Sequence, residues 1–317
     1  MRILVYLEKS AVRGGIEVFA ERHVERLRAE GHEVETCDSI SQRKSGAAFD
    51  GFDEIVVHKC SDVATLEKFP PAKTVYYVHD HEPICPRGYA YTPLKRNCTR
   101  PGGIWPCIFC APACRNWKAA LSRTFAQRRR IAAMARFKKI VVISEFMKSR
   151  LVANALPQER IAVEPPKIAP AECAERSEGN DCDLLYVGQL IRGKGVQLLL
   201  EAMARMKAPR TLDVVGTGNM EGELKEMAVR LGLGERVRFR GFQGNPQEWM
   251  RRSACVVVPS FWQEPYGLVA AEAVALGCRV VAFAIGGLPE ACGGKATLVP
   301  PGDVDALANA LESEIVK

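Results

Sequence analysis

Two carboxylates separated by seven residues mark the segment Pro259-Ser260-Phe261-Trp262-Gln263-Glu264-Pro265-Tyr266-Gly267-Leu268-Val269-Ala270-Ala271-Glu272-Ala273. An apolar run suited to a buried strand precedes it, Glu264 falls on the loop that follows, and a helix is expected to open near Gly267. A helix start offers unpaired N–H groups and a partial positive charge, which suits a phosphate. Glycine there lets the backbone approach a ligand closely. Glu264 lies before the helix and Glu272 one to two turns into it, so both can address one elongated ligand. Each can accept hydrogen bonds from neighbouring hydroxyls. The plainer alternative is a strand-to-helix turn with two surface glutamates.

Other residues could join such a site. Val187-Gly188-Gln189-Leu190-Ile191-Arg192-Gly193-Lys194-Gly195 is a glycine-rich loop carrying two cations, and Gly14-Gly15-Ile16-Glu17 is a glycine turn into a helix. His79 follows an apolar strand candidate, where a side chain can face a cleft. Cys85, Cys98, Cys107, Cys110 and Cys114 crowd into thirty residues with a C-x8-C-x2-C-x3-C core. Four thiolates at Cys98, Cys107, Cys110 and Cys114 could hold a structural zinc, with free thiols, disulfides or an iron–sulfur centre as the other readings.

The elements that must position these groups alternate. Strands are expected at Ile3–Leu7, Glu54–Val57, Thr74–Val78 and Ile140–Ile143, with a helix over Ile16–Glu30 whose apolar positions recur at three- and four-residue steps. A second series follows at Leu184–Val187, Leu212–Val215, Val237–Phe239, Cys255–Val258 and Val280–Phe283. Strand–helix alternation implies parallel sheets covered on both faces, with ligands beyond the carboxyl ends of the strands. The pattern divides into residues 1–164 with a Cys-rich insertion at 83–115, a linker rich in Pro, Ala and charge at 165–181, and residues 182–317.

Composition narrows the class. The 317 residues, 47% hydrophobic and 26% charged, are ordinary for a globular protein of two domains. No apolar run reaches bilayer length, and the N-terminus lacks the features of a signal peptide, so a cytoplasmic protein is expected. The net charge of +7 is concentrated in part at Arg128-Arg129-Arg130 and Arg136-Phe137-Lys138-Lys139. The stretch from Lys118 to Lys139 is either a solvated helix face or a contact with an anionic inner leaflet. Gly216-Thr217-Gly218 with Gly222 has a spacing similar to a dinucleotide fingerprint, but no acidic residue clearly ends the next strand, which argues against a nicotinamide cofactor.

Taken together these segments resemble the family-4 retaining glycosyltransferases, whose paired-glutamate motif matches Pro-Ser…Glu264-Pro-Tyr-Gly-Leu…Glu272-Ala. The likeness covers nearly the whole chain and is strongest over 184–303. It implies an α/β GT-B fold, two doubly wound Rossmann-like domains facing an interdomain cleft, with the acceptor side in 1–164 and the nucleotide-sugar side in 182–317. It implies that Glu264 contacts the donor sugar, that the amides at Gly267 and Leu268 hold its phosphate, and that Glu272 binds the ribose. Lys194 matches a lysine that grips the diphosphate. Gln189 stands where the family has an arginine, which leaves Arg192 to supply the second charge. Gly15, Gly188, Gly218 and Tyr266 complete the implied donor-binding set, and His79 falls near the reacting carbon. Gly286-Gly287-Leu288-Pro289-Glu290 matches a further turn of the family. Ser144 also matches a family position, and equally suits the cap of a helix from Glu145.

The resemblance implies sugar transfer with retention, from a nucleotide-diphosphate donor to a glycan or lipid-linked acceptor, in cell-surface polysaccharide synthesis. No cofactor is expected for catalysis. No second nucleophile stands out, so attack on the same face as departure is expected, with catalysis resting on positioning and charge stabilisation. Family members continue beyond the last helix expected here, at 304–315, and cross back to the N-terminal domain, so weaker domain closure is expected. Two rival readings stand beside this one. The first is a protein of the same fold that binds a nucleotide-sugar without turnover. The second is a zinc-bearing nucleic-acid binder, which lacks a recognisable docking element, so no nucleic-acid partner is expected.

Overall fold

The computed structural model describes residues 1–8, 15–40, 49–92, 97–99, 107, 110, 117–168 and 182–316. The chain divides into two compact units, Met1–Pro166 and Lys167–Lys317, parting within the stretch that breaks the strand–helix pattern.

The first unit is built on β1 (Arg2–Leu7), β2 (Glu33–Cys37), β3 (Glu54–Lys59), β4 (Thr74–Val78), β5 (Lys139–Val142) and β6 (Ile161–Val163). They form one sheet in the order β2-β1-β3-β4-β5-β6, and every pairing is parallel. Its helices are α1 (Gly15–Ala29), α2 (Val63–Leu66), α3 (Trp117–Met134) and α4 (Glu145–Val152). Both faces are covered, which is why the inner strands read as unbroken apolar runs; β4 is buried at every position. Ile3, Val5, Val56, Val75, Tyr77 and Val141 face Val24 and Leu27 of α1. Leu4, Ile55, Val57, Tyr76 and Val78 face the other way, against Phe69, Met134, Met147 and Leu151. Ser144 caps α4, its hydroxyl accepting the Met147 amide at 3.0 Å.

The second unit comprises β7 (Cys182–Val187), β8 (Leu212–Val215), β9 (Val237–Gly241), β10 (Ser253–Val258), β11 (Arg279–Phe283) and β12 (Thr297–Val299). Helices α5 (Val196–Arg205), α6 (Glu221–Arg230), α7 (Pro246–Arg251), α8 (Leu268–Ala275), α9 (Leu288–Cys292) and α10 (Val304–Val316) join or follow them. The sheet is again wholly parallel, in the order β12-β11-β10-β7-β8-β9. Counted within the unit, this is the doubly wound order in which the chain reverses direction across the sheet between its first and fourth strands, here β7 and β10. The loops leaving those two strands therefore flank the crevice where such sheets bind ligands. Asp213, buried on β8, is gripped by Arg238 (2.9 and 3.0 Å) and Arg240 (2.7 Å) of the edge strand β9.

Three strands go beyond the sequence expectations: β2, β6 and β12. Each lies at a sheet edge. Glu33-Val34-Glu35-Thr36-Cys37 mixes polar with apolar residues, and the other two are three residues long, so none carries a long apolar signature.

Candidate active site

Lys194 and Glu264 arrive from the two loops that flank the reversal point. The loop after β7 closes in a short 3-10 turn, Arg192–Lys194, ended by Gly195 with φ of 79°. A Cβ at Gly195 would stand 1.8 Å from the Pro259 carbonyl oxygen, so only glycine lets the loop after β7 lie against the loop after β10. The carbonyl of Gly193 then accepts the amides of Phe261 (3.1 Å) and Trp262 (3.3 Å), which fastens the loops together.

This junction brings Lys194 Nζ to 2.6 Å from Glu264 Oε1. Trp262 Nε1 donates to the same oxygen at 2.8 Å, Ser260 adds a side-chain hydrogen bond, and Lys194 Nζ lies 5.3 Å from the Trp262 ring centroid. Glu264 is buried, with its side chain 8% exposed against 24% for Lys194. Burial alone would raise its pKa, but the Lys194 ammonium and the hydrogen bonds from Lys194, Trp262 and Ser260 outweigh it and hold the carboxyl below its ordinary range. The pair is thus an ionised carboxylate and an ammonium, both partly desolvated. The Gly286-Gly287 turn supports Glu264 from behind, since the Gly287 amide donates to the Glu264 carbonyl at 2.8 Å.

Gly267 stands at the N-cap of α8 with no side chain capping the helix, and Leu268 is its first residue. Glu272, in the second turn, accepts a hydrogen bond from Gln247 at 3.3 Å. Tyr266 is half-buried, and burial raises its pKa. Gly188 follows β7 and donates its amide to Val215 at 2.9 Å. A Cβ on Gly216 would meet the Gly188 carbonyl oxygen at 1.9 Å, and one on Gly218 the Leu190 carbonyl oxygen at 2.3 Å. The glycines of Gly216-Thr217-Gly218 therefore serve close packing of loop on loop. Arg192 does not join Lys194; its exposed side chain pairs with Glu223 of α6 at 3.3 Å, and Gln189 is exposed. Trp262, Ser260, Gly193 and Gln247 were not singled out by type or spacing.

In the first unit, Gly15 opens α1, whereas Gly14 lies outside the described residues. His79 follows β4 and sits among aromatic rings. Phe19 is edge-on at 5.0 Å, and the Tyr77 ring is stacked at 6.2 Å. Burial lowers its pKa to about 3, so it is a neutral imidazole at physiological pH. Burial also raises Asp80 to about 6, although its carboxylate accepts the Glu82 amide at 2.8 Å.

Of the cysteine set, Cys107 and Cys110 share a turn closed by a 3.0 Å amide–carbonyl bond, and the Cys98 carbonyl accepts from Arg150 at 3.0 Å. Cys114 lies outside the described residues, and among those described no three His, Cys, Asp or Glu side chains converge as metal ligands. In the basic stretch, Arg129 is paired with Glu67, and the buried Arg130 with Glu82 and the Ser61 carbonyl. Among the described residues no helix is long and apolar enough to cross a membrane.

Known proteins place this architecture. Anabaena Alr3699/HepE in complex with UDP and glucose superimposes with a TM-score of 0.70 at 20% identity, over 98% of this chain and 89% of that one. The fold is accordingly GT-B, two parallel-stranded Rossmann-like units. Residues 181–315 match the family described as Glycosyl transferases group 1. An uncharacterized glycosyltransferase of Methanocaldococcus jannaschii is 37% identical over 110 residues, 34% of this chain and 28% of that protein. D-inositol 3-phosphate glycosyltransferase 1 of Catenulispora acidiphila is 38% identical over 122 residues, 34% of this chain and 29% of that protein. The chain thus matches less than a third of the length of these two relatives.

Proposed function

We propose that the protein is a retaining glycosyltransferase that uses a nucleotide-diphosphate sugar. The observation that carries this reading is the Lys194–Glu264 pair, set on the two loops of the reversal point and followed directly by the amino end of α8. An ammonium and a helix start suit the diphosphate, while a fixed carboxylate suits sugar hydroxyls. Lys194 stabilises the leaving diphosphate as the glycosidic bond breaks, Glu264 orients the donor sugar, the amides at Gly267 and Leu268 meet phosphate oxygens, and Glu272 takes the ribose. That the matched family is one of glycosyl transferases, and that the Anabaena structure holds UDP and glucose, both support a donor of this class.

The acceptor hydroxyl attacks on the face from which the diphosphate leaves; its proton passes to the departing oxygen, and the anomeric configuration is kept. His79 lies at the carboxyl edge of the first unit's sheet, where we assign it to a sugar hydroxyl. Being neutral, it acts as a hydrogen-bonding group and not as a cation. A glycan or lipid-linked acceptor is proposed with it. Exposed Phe125 between Arg123 and Arg128 on α3 supports docking on an anionic bilayer, and sedimentation with neutral vesicles as readily as anionic ones would dismiss that.

Thermal-shift screening against UDP-, GDP- and ADP-sugars, followed by transfer to pooled acceptors, tests the function; the matching donor raises the melting point. Glu264→Ala and Lys194→Ala should abolish transfer in folded protein, and full turnover in either would sink the assignment. One observation favours the second reading, a binder without turnover: Arg192, the candidate second cation, is occupied by Glu223. Stabilisation by a donor with no hydrolysis or transfer would establish it. The Cys98, Cys107, Cys110 and Cys114 thiols are proposed as a structural zinc site, for which the shared turn of Cys107 and Cys110 is suited. Purified protein without stoichiometric zinc by elemental analysis would rule that out.

A further inference from the structure

Three of the five histidines form one hydrogen-bonded chain in the first unit. His23 Nδ1 lies 3.0 Å from His58 Nε2, and His58 Nδ1 lies 3.0 Å from His79 Nε2. Each residue has a structural reason to be there. Alternation along β3 places Val56 and His58 on the face turned to α1, and along β4 it places Val75 and Tyr77 on that face, with His79 just past the strand end against Phe19 and Tyr77. His23 comes from α1, one turn after Phe19, and Phe19 contacts all three imidazoles edge-on. Tyr77 completes the enclosure, 4.9 Å from His23 and 4.8 Å from His58.

The proton count in such a chain is constrained. A neutral imidazole has one N–H and one acceptor nitrogen. Each of the two contacts needs one proton, and the central ring can supply only one of them. If His58 donates through Nδ1 to His79, then its Nε2 must accept from His23, and His79 must carry its proton on Nδ1. If His79 donates instead, the order reverses, and all three protons sit on Nε2. The rings therefore share one tautomer, and His23 determines the protonation of a ring with which it makes no hydrogen bond.

We propose that His58 and His23 are positioning residues for His79, a coupled three-ring chain that dictates which His79 nitrogen carries the proton and so whether Nδ1 donates or accepts. Neutrality of the rings is supported by their surroundings. Burial pushes all three below the ordinary histidine range, His23 to about 4 and His79 to about 3. The charged groups acting at the His23 end are Arg26, which lowers its pKa further, and Glu164, which opposes. Glu164 is itself engaged by Lys139 at 2.6 Å and by the Tyr77 hydroxyl at 3.3 Å. Asp80, next to His79, is the nearest acid in sequence.

The catalytic consequence rests on the assignment of His79 to a sugar hydroxyl, whereas the chain itself does not, so the test has two arms. In the full-length protein labelled with 15N-histidine, long-range proton–nitrogen spectra from about pH 5 to 8 should show three neutral rings of one tautomer, or one shared average. His23→Phe should shift the nitrogen pair of His79. A mixed set of tautomers, a cationic His58, or unchanged His79 nitrogens in folded His23→Phe protein would each overturn the chain. In the second arm, His58→Phe should lower kcat about tenfold or more with the donor KM unchanged. His58→Gln should restore most of it, since a carboxamide can donate to one ring and accept from the other. Equal loss in both variants would reduce His58 to a packing role. Full kcat in His79→Ala would remove His79 from the reaction and overturn the catalytic half, leaving the spectra to decide the chain.

Discussion

Replacing Lys194 by methionine keeps a flexible stem against the Trp262 ring and deletes only the ammonium. Glu264, with its side chain 8% exposed, then loses the partner 2.6 Å away and keeps only the donors Trp262 and Ser260. Removing one member of a buried pair costs about 3–5 kcal/mol. Two surviving donors, and a lysine that is partly solvated, place this case at the lower end, about 3 kcal/mol near neutral pH. The pH dependence is more telling than the size. In the wild type the carboxyl is held below its ordinary value of 4.5, so it contributes stability above that pH, and the contribution fades as pH falls through the folded pKa. In Lys194→Met the largest remaining influence is burial, which pushes the folded pKa above 4.5. The sign reverses, and the penalty is greatest at neutral pH and disappears on acidification as the carboxyl protonates. Urea denaturation at a series of pH values should thus find a gap of about 3 kcal/mol at pH 7 that narrows as the pH falls toward and below the ordinary carboxyl value of 4.5. The double variant Lys194→Met/Glu264→Gln should recover most of the loss at pH 7. A gap constant across that range, or no recovery in the double variant, would refute the pairing and the burial argument together.

Trp262→Phe retains an aromatic face beneath Lys194 but removes the 2.8 Å bond to Glu264. A hydrogen bond to a charged group is worth about 1.5–3 kcal/mol, so turnover should fall at least tenfold, and unaltered kcat would deny Trp262 a positioning role. Gly195→Ala forces a Cβ to 1.8 Å from the Pro259 oxygen at positive φ and should cost about 2–4 kcal/mol by denaturation. Gly222→Ala, with nothing within 4 Å and a helical setting, should instead stabilise by about 0.5–1 kcal/mol. Asp213→Ala leaves Arg238 and Arg240, whose side chains are 37% and 35% exposed, without their shared carboxylate and should cost about 2–3 kcal/mol by denaturation; no measurable loss would refute the grip.

Which features were legible in the sequence follows from what each needs in order to exist. The inner strands need apolar residues on both faces, and runs such as Cys255-Val256-Val257-Val258 show it directly. Glycine and acid at the loop after β10 advertise Glu264 and Gly267, because local conformation and local chemistry coincide there. The edge strands β2, β6 and β12 demand much less of their residues. The pairing of Lys194 with Glu264 spans 70 residues and depends on which strands adjoin, which no local pattern reports. The same holds for His23 and His58, whose types look ordinary until α1 and β3 are stacked. Arg192 likewise has a partner that the sequence does not report. Its type suited a diphosphate grip, but α6 presents Glu223 to it across a gap that spacing does not reveal.

Because the Lys194 charge is already answered by Glu264, the crevice between the loops after β7 and β10 holds a dipole rather than a bare cation. A simple inorganic anion that approaches the ammonium must also face the carboxylate, and gains little for its desolvation. A molecule that brings hydroxyl protons to the acid and phosphate oxygens to the amine satisfies both at once. On the proposed function, the resting pair would in this way favour an esterified sugar over free phosphate, before any part of the chain moves.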